Sequence, residues 1–408
     1  LVIIIGVTEG GAVGRHASWL ELFFDLVVVA AVAQLAHRLH GDPSVLDVAL
    51  FVLLYLAVWL TWSSFTLYAN VAGDKTRRRS MLAAMLAIAV MAAAAPEATG
   101  DRVAVFVVAY VVARFLGART MRETGTNLTA WPTVQGLLGV IPWLVSIWVA
   151  PPGRYLLWTA GVVIDVLLPL LSGAEARVPK FARRMMREQA EREGRPVTDL
   201  ASVMPEPARL DLPHLAERLG LFVIIVLGES VLQVVSVAAE RPWTGPLVAV
   251  TLGGFALLVA LWWHLFRYGL IATEGRGLPV RVAMPLHFVG TVSITAIAVG
   301  LGGIAAHAVH PPAGDRWLLC GGLAGWFLAG ILGGLPDRST WRWLLLAGLP
   351  GLAVTLLLGA VGGVLSGPVL TGLLVAVMAW QWWYSGRHDR RKAAAEATAD
   401  AGAATTRS

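Results

Sequence analysis

The stretch Trp19-Leu-Glu21-Leu-Phe-Phe24-Asp25-Leu-Val-Val-Val-Ala-Ala-Val-Ala-Gln34-Leu35 decides the fold. It is apolar enough to sit in lipid, yet it carries two carboxylates four residues apart. On a helix that spacing puts Glu21 and Asp25 on one face, about 6 Å apart along the axis. Acids in a membrane helix are costly and normally face a protein interior or a wet cavity. The same opening returns as His214-Leu-Ala-Glu217-Arg218-Leu-Gly-Leu221-Phe-Val-Ile-Ile-Val-Leu-Gly228-Glu229-Ser230. A slide of 196 residues lays Glu217 on Glu21 and Leu221 on Asp25. Trp62-Ser-Ser-Phe65 and Trp263-His264-Leu-Phe266 match at a slide of 201, a few residues of loop slippage away.

Composition agrees with a membrane chain. Of 408 residues, 57% are hydrophobic and only 14% charged, against about 25% charged in soluble domains. Apolar runs of spanning length, roughly 20 residues each, fall near 18–38, 45–70, 78–96, 101–121, 131–150 and 153–173. They resume near 215–238, 244–266, 281–308, 315–334, 341–361 and 366–386. The expected fold is an all-α polytopic membrane protein of about twelve transmembrane helices. Six spans per half is even, so the halves enter the membrane in the same direction, as two parallel six-helix repeats.

Charge gives the sidedness. If the runs alternate, one side holds 25 Lys and Arg and the other 5. Cytoplasmic loops carry the basic excess, which predicts cytoplasmic N- and C-termini. This also accounts for the net charge of +6 without nucleic acid. The expected organisation is a cytoplasmic segment 1–17, repeats at 18–173 and 214–386, a basic linker 174–213 and a disordered cytoplasmic tail 387–408. The opening Leu1-Val-Ile-Ile-Ile-Gly is too short for a signal-peptide core, which suggests a truncated or misassigned start. Phe181 and Met185, helically spaced among bases, suit either a helix on anionic lipid headgroups over 177–195 or a solvated linker. Trp380, Trp382, Trp383 and Tyr384 read as an interfacial belt.

The candidate binding residues are Glu21, Asp25, Glu217, Glu229, Ser230, His264 and His287. Most fall in the inner half of their spans, as a vestibule near the repeat interface would require. Glu229 differs, lying near mid-membrane between Gly228 and Ser230, where a carboxylate can reach an ion or solute. Each has a plainer reading. Glu21 and Glu217 fit as acids at helix N-termini, Asp25 as a packing partner of Arg114 or Arg218, and the histidines as packing groups. His214 and Glu217 have a metal-compatible spacing, but two ligands do not make a site. Cys320 stands alone, and no disulfide, metal or cofactor is expected. The chain has no Walker-type loop, no His-Glu-x-x-His, no Gly-x-Ser-x-Gly and no Thr-Val-Gly-Tyr-Gly filter. Glycine-rich stretches such as Gly300-Leu-Gly302-Gly303 and Gly333-Gly334 fit close helix packing better than phosphate binding.

Through the two quoted openings, the chain resembles the bacterial low temperature requirement protein A family over roughly 15–386. The family often has Phe where this chain has Val28. The resemblance implies a multi-spanning inner-membrane protein named for growth in the cold, and it supplies no substrate. A fainter likeness is to potassium channels of two six-helix repeats, whose first helices carry Arg-x-x-x-Phe-Ser-Asp. Here Phe24-Asp25 lacks the serine, and Leu221 replaces the second acid. The leading expectation is a non-enzymatic, transporter-like protein for a small solute or ion, using intramembrane carboxylates. The alternatives are a monovalent cation channel walled by spans one and seven, or a membrane-embedded enzyme on a lipid-linked substrate with Glu217 or His264 as general base.

Overall fold

The computed structural model describes residues 15–128, 131, 136–171, 188, 192, 206–268, 278–335 and 341–405. The headgroup-binding reading of 177–195 lies almost wholly outside these residues. Among the described residues, helices follow the order of the apolar runs: α1 (Trp19–Ala36), α2 (Val45–Ala72), α3 (Arg78–Ala94), α4 (Val103–Arg122), α5 (Val140–Val145) and α6 (Gly153–Leu171). Then come α7 (Leu212–Ala239), α8 (Gly245–Tyr268), α9 (Val280–Ala306), α10 (Ala313–Gly334), α11 (Leu349–Val361) and α12 (Gly367–Thr405). A short turn, Trp341–Trp343, and a π-helical turn, Leu344–Gly348, lead into α11. Among the described residues nine helices are long and apolar enough to cross a membrane: α1–α4, α7–α10 and the segment containing α11. Thr126–Asn127 and Glu206–Pro207 pair as a two-residue parallel bridge.

Local chemistry starts the first two helices. Ser18 and Ser44 are N-caps, each closed into a capping box by the acid three residues on, Glu21 and Asp47. Each box satisfies helix-end amides that lipid would leave bare. Among the described residues of the run expected over 131–150, the α-helix covers Val140–Val145, followed by a 3₁₀ turn to Trp148. Gly136 and Gly139 lie in the non-helical backbone before it. The tail differs as well: where a disordered segment was expected from 387, the backbone stays helical to Thr405. Alanine-rich sequence favours that outcome.

The two halves pack alike in part. α1 packs on α2 and α3, and α3 hairpins with α4; α7 packs on α8 and α9, and α9 hairpins with α10. Phe65 of α2 lies against Phe24 of α1, with ring centroids 5.7 Å apart. At the positions reached by the two slides, Phe266 of α8 lies against Gly220 of α7, 3.6 Å from where a Cβ would be. Halves meet where α1 and α2 pack on α7 and α9. α9 and α10 approach closely through glycine. A Cβ on Gly322 would sit 2.8 Å from the Ser293 carbonyl, and one on Gly300 would meet the backbone of Asp315 and Leu319.

Connections alternate between two ends. At one end Arg38 donates to the Ala95 and Pro96 carbonyls, Arg154 to Thr99 O, Arg241 to Ala306 O, and the Gly367 amide to Ala308 O. The Gly314 amide donates to the Asp42 carboxylate across the halves. Arg102 and Arg316 reach Ala93 O and Gly359 O. The five arginines on the sparsely basic side are thus all engaged with backbone carbonyls, most at helix C-termini, where cations are favoured. The other end holds Arg15, Arg77, Arg119 and Arg122 and is called the basic end below.

Candidate functional site

Near the basic end α1 and α7 cross with their charged faces together. Arg218 clasps Asp25 with two nitrogens, Nη2–Oδ1 at 2.7 Å and Nε–Oδ2 at 3.3 Å. Its Nη1 stands 3.0 Å from Glu21 Oε1. All three side chains are buried to within 1% of full exclusion. Trp62 of α2 donates its indole N–H to Asp25 Oδ1 at 2.7 Å. Arg15 approaches Glu21 Oε1 at 3.4 Å and donates to Ala69 O. Ser18 closes the other oxygen of Glu21 with its amide and hydroxyl, at 2.7 and 2.8 Å. Two arginines therefore face two carboxylates, and the formal charges cancel. That balance matters because a buried charge without a partner costs several kcal/mol.

His214 completes the group. Asn70 Nδ2 donates to His214 Nδ1 at 3.0 Å, which leaves the proton on Nε2, 3.5 Å from Glu21 Oε1. Asn70 also exchanges hydrogen bonds with the Asp211 backbone, pinning the N-terminus of α7 to α2. His214 is thereby committed, and Glu217 turns to His16 at 3.5 Å. The metal-compatible spacing of His214 and Glu217 does not become a shared site.

A second ion pair holds the broken fifth run. Arg114 of α4 meets Asp165 of α6 at 3.0 Å, both 1% exposed. Arg114 also donates to Ser64 Oγ and to Gly136 O, and the Gly139 amide donates to Asp165 Oδ1 at 2.9 Å. The pair supplies partners for backbone that is not helical, the condition for such backbone at membrane depth.

Between these pairs lies an aromatic seam. Trp59 donates to His287 Nδ1 at 3.2 Å, and His287 Nε2 donates to Leu219 O at 3.2 Å. The ring stacks on Trp62 at 5.2 Å and 13°. His287 is a neutral, doubly bonded packing group joining α2, α7 and α9. His264 stacks with Trp343 instead. In the first half of α12, Trp380 and Gln381 donate to Leu346 O and Ala347 O of the π-helical turn. Those residues do more than line an interface.

Glu229 stands apart. It is half-buried near the middle of the 28-residue α7, and among the described residues its carboxylate makes no hydrogen bond or ion pair. A Cβ on Gly228 would meet nothing within 4 Å. Ser230 turns its hydroxyl to Val226 O. One turn further, on the same face as Glu229, Gln233 has a buried Oε1 without a partner. A carboxylate and an amide oxygen that lack partners are acceptors of the kind a cation or a proton engages.

The seven sequence-derived residues thus divide. Glu21 and Asp25 join one network, Glu217 borders it through His16, His287 belongs to the adjoining seam, and His264, Glu229 and Ser230 lie elsewhere. Trp62, Asn70 and Arg15 were not singled out for this network. The Ser18-x-x-Glu21 spacing was a readable signal for a capped helix start.

The model of the bacterial low temperature requirement A protein (LtrA) family matches residues 16–383. An uncharacterized protein of Rhizobium meliloti (strain 1021) is 28% identical over 293 residues, 64% of this chain and 64% of that relative's length. The chain spans less than two thirds of the relative it matches. With the quoted α1 and α7 motifs inside the matched region, the chain belongs to the bacterial low temperature requirement A family.

Proposed function

We propose that the protein is a transporter of the bacterial inner membrane that moves a small cation or a proton-coupled solute. Its twelve crossings form two parallel six-helix repeats, with both termini in the cytoplasm. The observation that carries the reading is Glu229, a carboxylate without a partner near the middle of an apolar helix. A group so placed is costly unless something binds it. The fifth crossing is a broken helix, and discontinuous helices of this kind are a recurrent feature of transporter sites.

The charged contacts supply the gates. Glu21–Arg218–Asp25 closes the cytoplasmic side between the halves, and Asp42 on the Gly314 amide closes the other. Opening the inner gate requires Arg218 to release Asp25. Protonation of either acid weakens that grip, which ties gate opening to proton occupancy.

The test is reconstitution into sealed vesicles, with a trapped pH-sensitive dye and imposed H⁺, Na⁺ or K⁺ gradients. The reading expects saturable, gradient-driven flux that Glu229→Gln removes. Unitary currents in a planar bilayer would replace it with a channel, and the absence of flux under every gradient would reject it.

A further inference from the structure

At the foot of α4 a cavity of about 350 Å³ is lined by Phe115, Ala118, Arg119, Arg122, Glu123 and Leu137. Val108, Val112, Phe115, Arg119 and Arg122 recur at steps of four and three, one face of the helix. Its first three members are about half exposed, as suits a surface that meets acyl chains. The face turns from apolar to basic where the helix reaches the basic end. We infer that this cavity seats an anionic phospholipid, its phosphate on Arg119 and Arg122 and its first acyl carbons along Phe115 and Leu137.

Charge supports this occupant. Glu123 is the acid in the cavity, and it is already held by Arg77 at 2.7 Å and Arg119 at 3.1 Å. The Arg122 side chain is exposed and makes no hydrogen bond or ion pair among the described residues. Three arginines against one carboxylate leave the seat positive, and basic groups at this level of a bilayer attract anionic headgroups. The apolar wall distinguishes a lipid from a free phosphate ion, which would have no use for Phe115. The seat also touches the broken crossing. Leu137 follows Gly136, whose carbonyl is held by Arg114, one turn before Ala118 on the same helix. A lipid here packs against the non-helical segment that leads into α5.

The experiment uses the full-length protein in detergent, titrated with phosphatidylglycerol, phosphatidylcholine or inorganic phosphate. Thermal unfolding and native mass spectrometry are read together. Phosphatidylglycerol should raise the unfolding midpoint and persist as a bound adduct, while the other two should not. Replacing Arg119 and Arg122 together by Gln should raise the phosphatidylglycerol concentration needed by about thirtyfold, as expected for two lost basic contacts. Arg122→Gln alone changes an exposed, unpartnered side chain, so it keeps the fold and should show a smaller shift in the same direction. Arg122→Lys should retain binding. Arg183→Gln with Arg184→Gln, in the basic linker, should leave the midpoint shift intact. Equal stabilisation by phosphatidylcholine or phosphate would overturn the inference. So would unchanged phosphatidylglycerol binding in the Arg119, Arg122 variant, or loss of the shift in the linker variant alone.

Discussion

Arg218 grips Asp25 through both arms of its guanidinium fork, at 2.7 and 3.3 Å, with neither side chain reachable by solvent. The clasp joins the first helix of one half to the first helix of the other. Its energetics are asymmetric. Two mutually satisfied charges cost little net, whereas removing one strands the other in an apolar interior.

Arg218→Leu or Asp25→Leu should therefore destabilise the protein by about 3–5 kcal/mol. Making both changes should recover most of that loss, because Glu21 keeps Arg15 and the Ser18 cap. Thermal unfolding of the four proteins in detergent measures the coupling. Additive losses in the double variant would show that the two residues do not act as a pair.

Glu229 calls for the opposite pattern. With no partner to lose, Glu229→Gln should shift stability by no more than about 0.5 kcal/mol and leave membrane abundance unchanged. Growth at low temperature of a strain lacking the protein should then fail to be restored by Glu229→Gln and be restored by the wild type. Full rescue by the Gln variant at normal abundance would remove Glu229 from the working site.

Glycines at the broken fifth run are predicted to differ sharply from the glycine beside Glu229. A Cβ on Gly139 would collide with the Gly161 carbonyl and the Asp165 carboxylate, and one on Gly161 would strike Trp143 and the Gly139 carbonyl. Gly139→Ala and Gly161→Ala should abolish the folded protein, judged by monodisperse elution after detergent extraction. Gly228→Ala enters open space in a helix and should stabilise by about 0.5–1 kcal/mol. A well-folded Gly139→Ala protein would contradict the packing of α5 on α6.

Sidedness follows from the charge split and from the end-to-end alternation of the connections. Reporter fusions after Gly73 and after Arg195 should both read cytoplasmic, and one after Pro311 should read external. Opposite readings at Gly73 and Arg195 would mean that the fifth run does not cross.

The sequence by itself determined the helical membrane fold, the order of its helices and the family. Those depend on sums over about 20 residues, such as hydropathy and basic excess, which single contacts do not alter. It also marked Glu21 and Asp25 as facing an interior. Only the tertiary structure decided their partner. The repeat laid Glu217 on Glu21, yet the residue that reaches both acids is Arg218. Successive helical residues point about 100° apart, so a slide that aligns two helices does not say which neighbour faces the other half. The fifth run shows the same limit. Its composition is that of a span, but Arg114 and Asp165, 51 residues apart in sequence, must converge before the non-helical backbone at Gly136 and Gly139 has partners. Hydropathy records how apolar a segment is, and three-dimensional convergence decides where its backbone hydrogen bonds go.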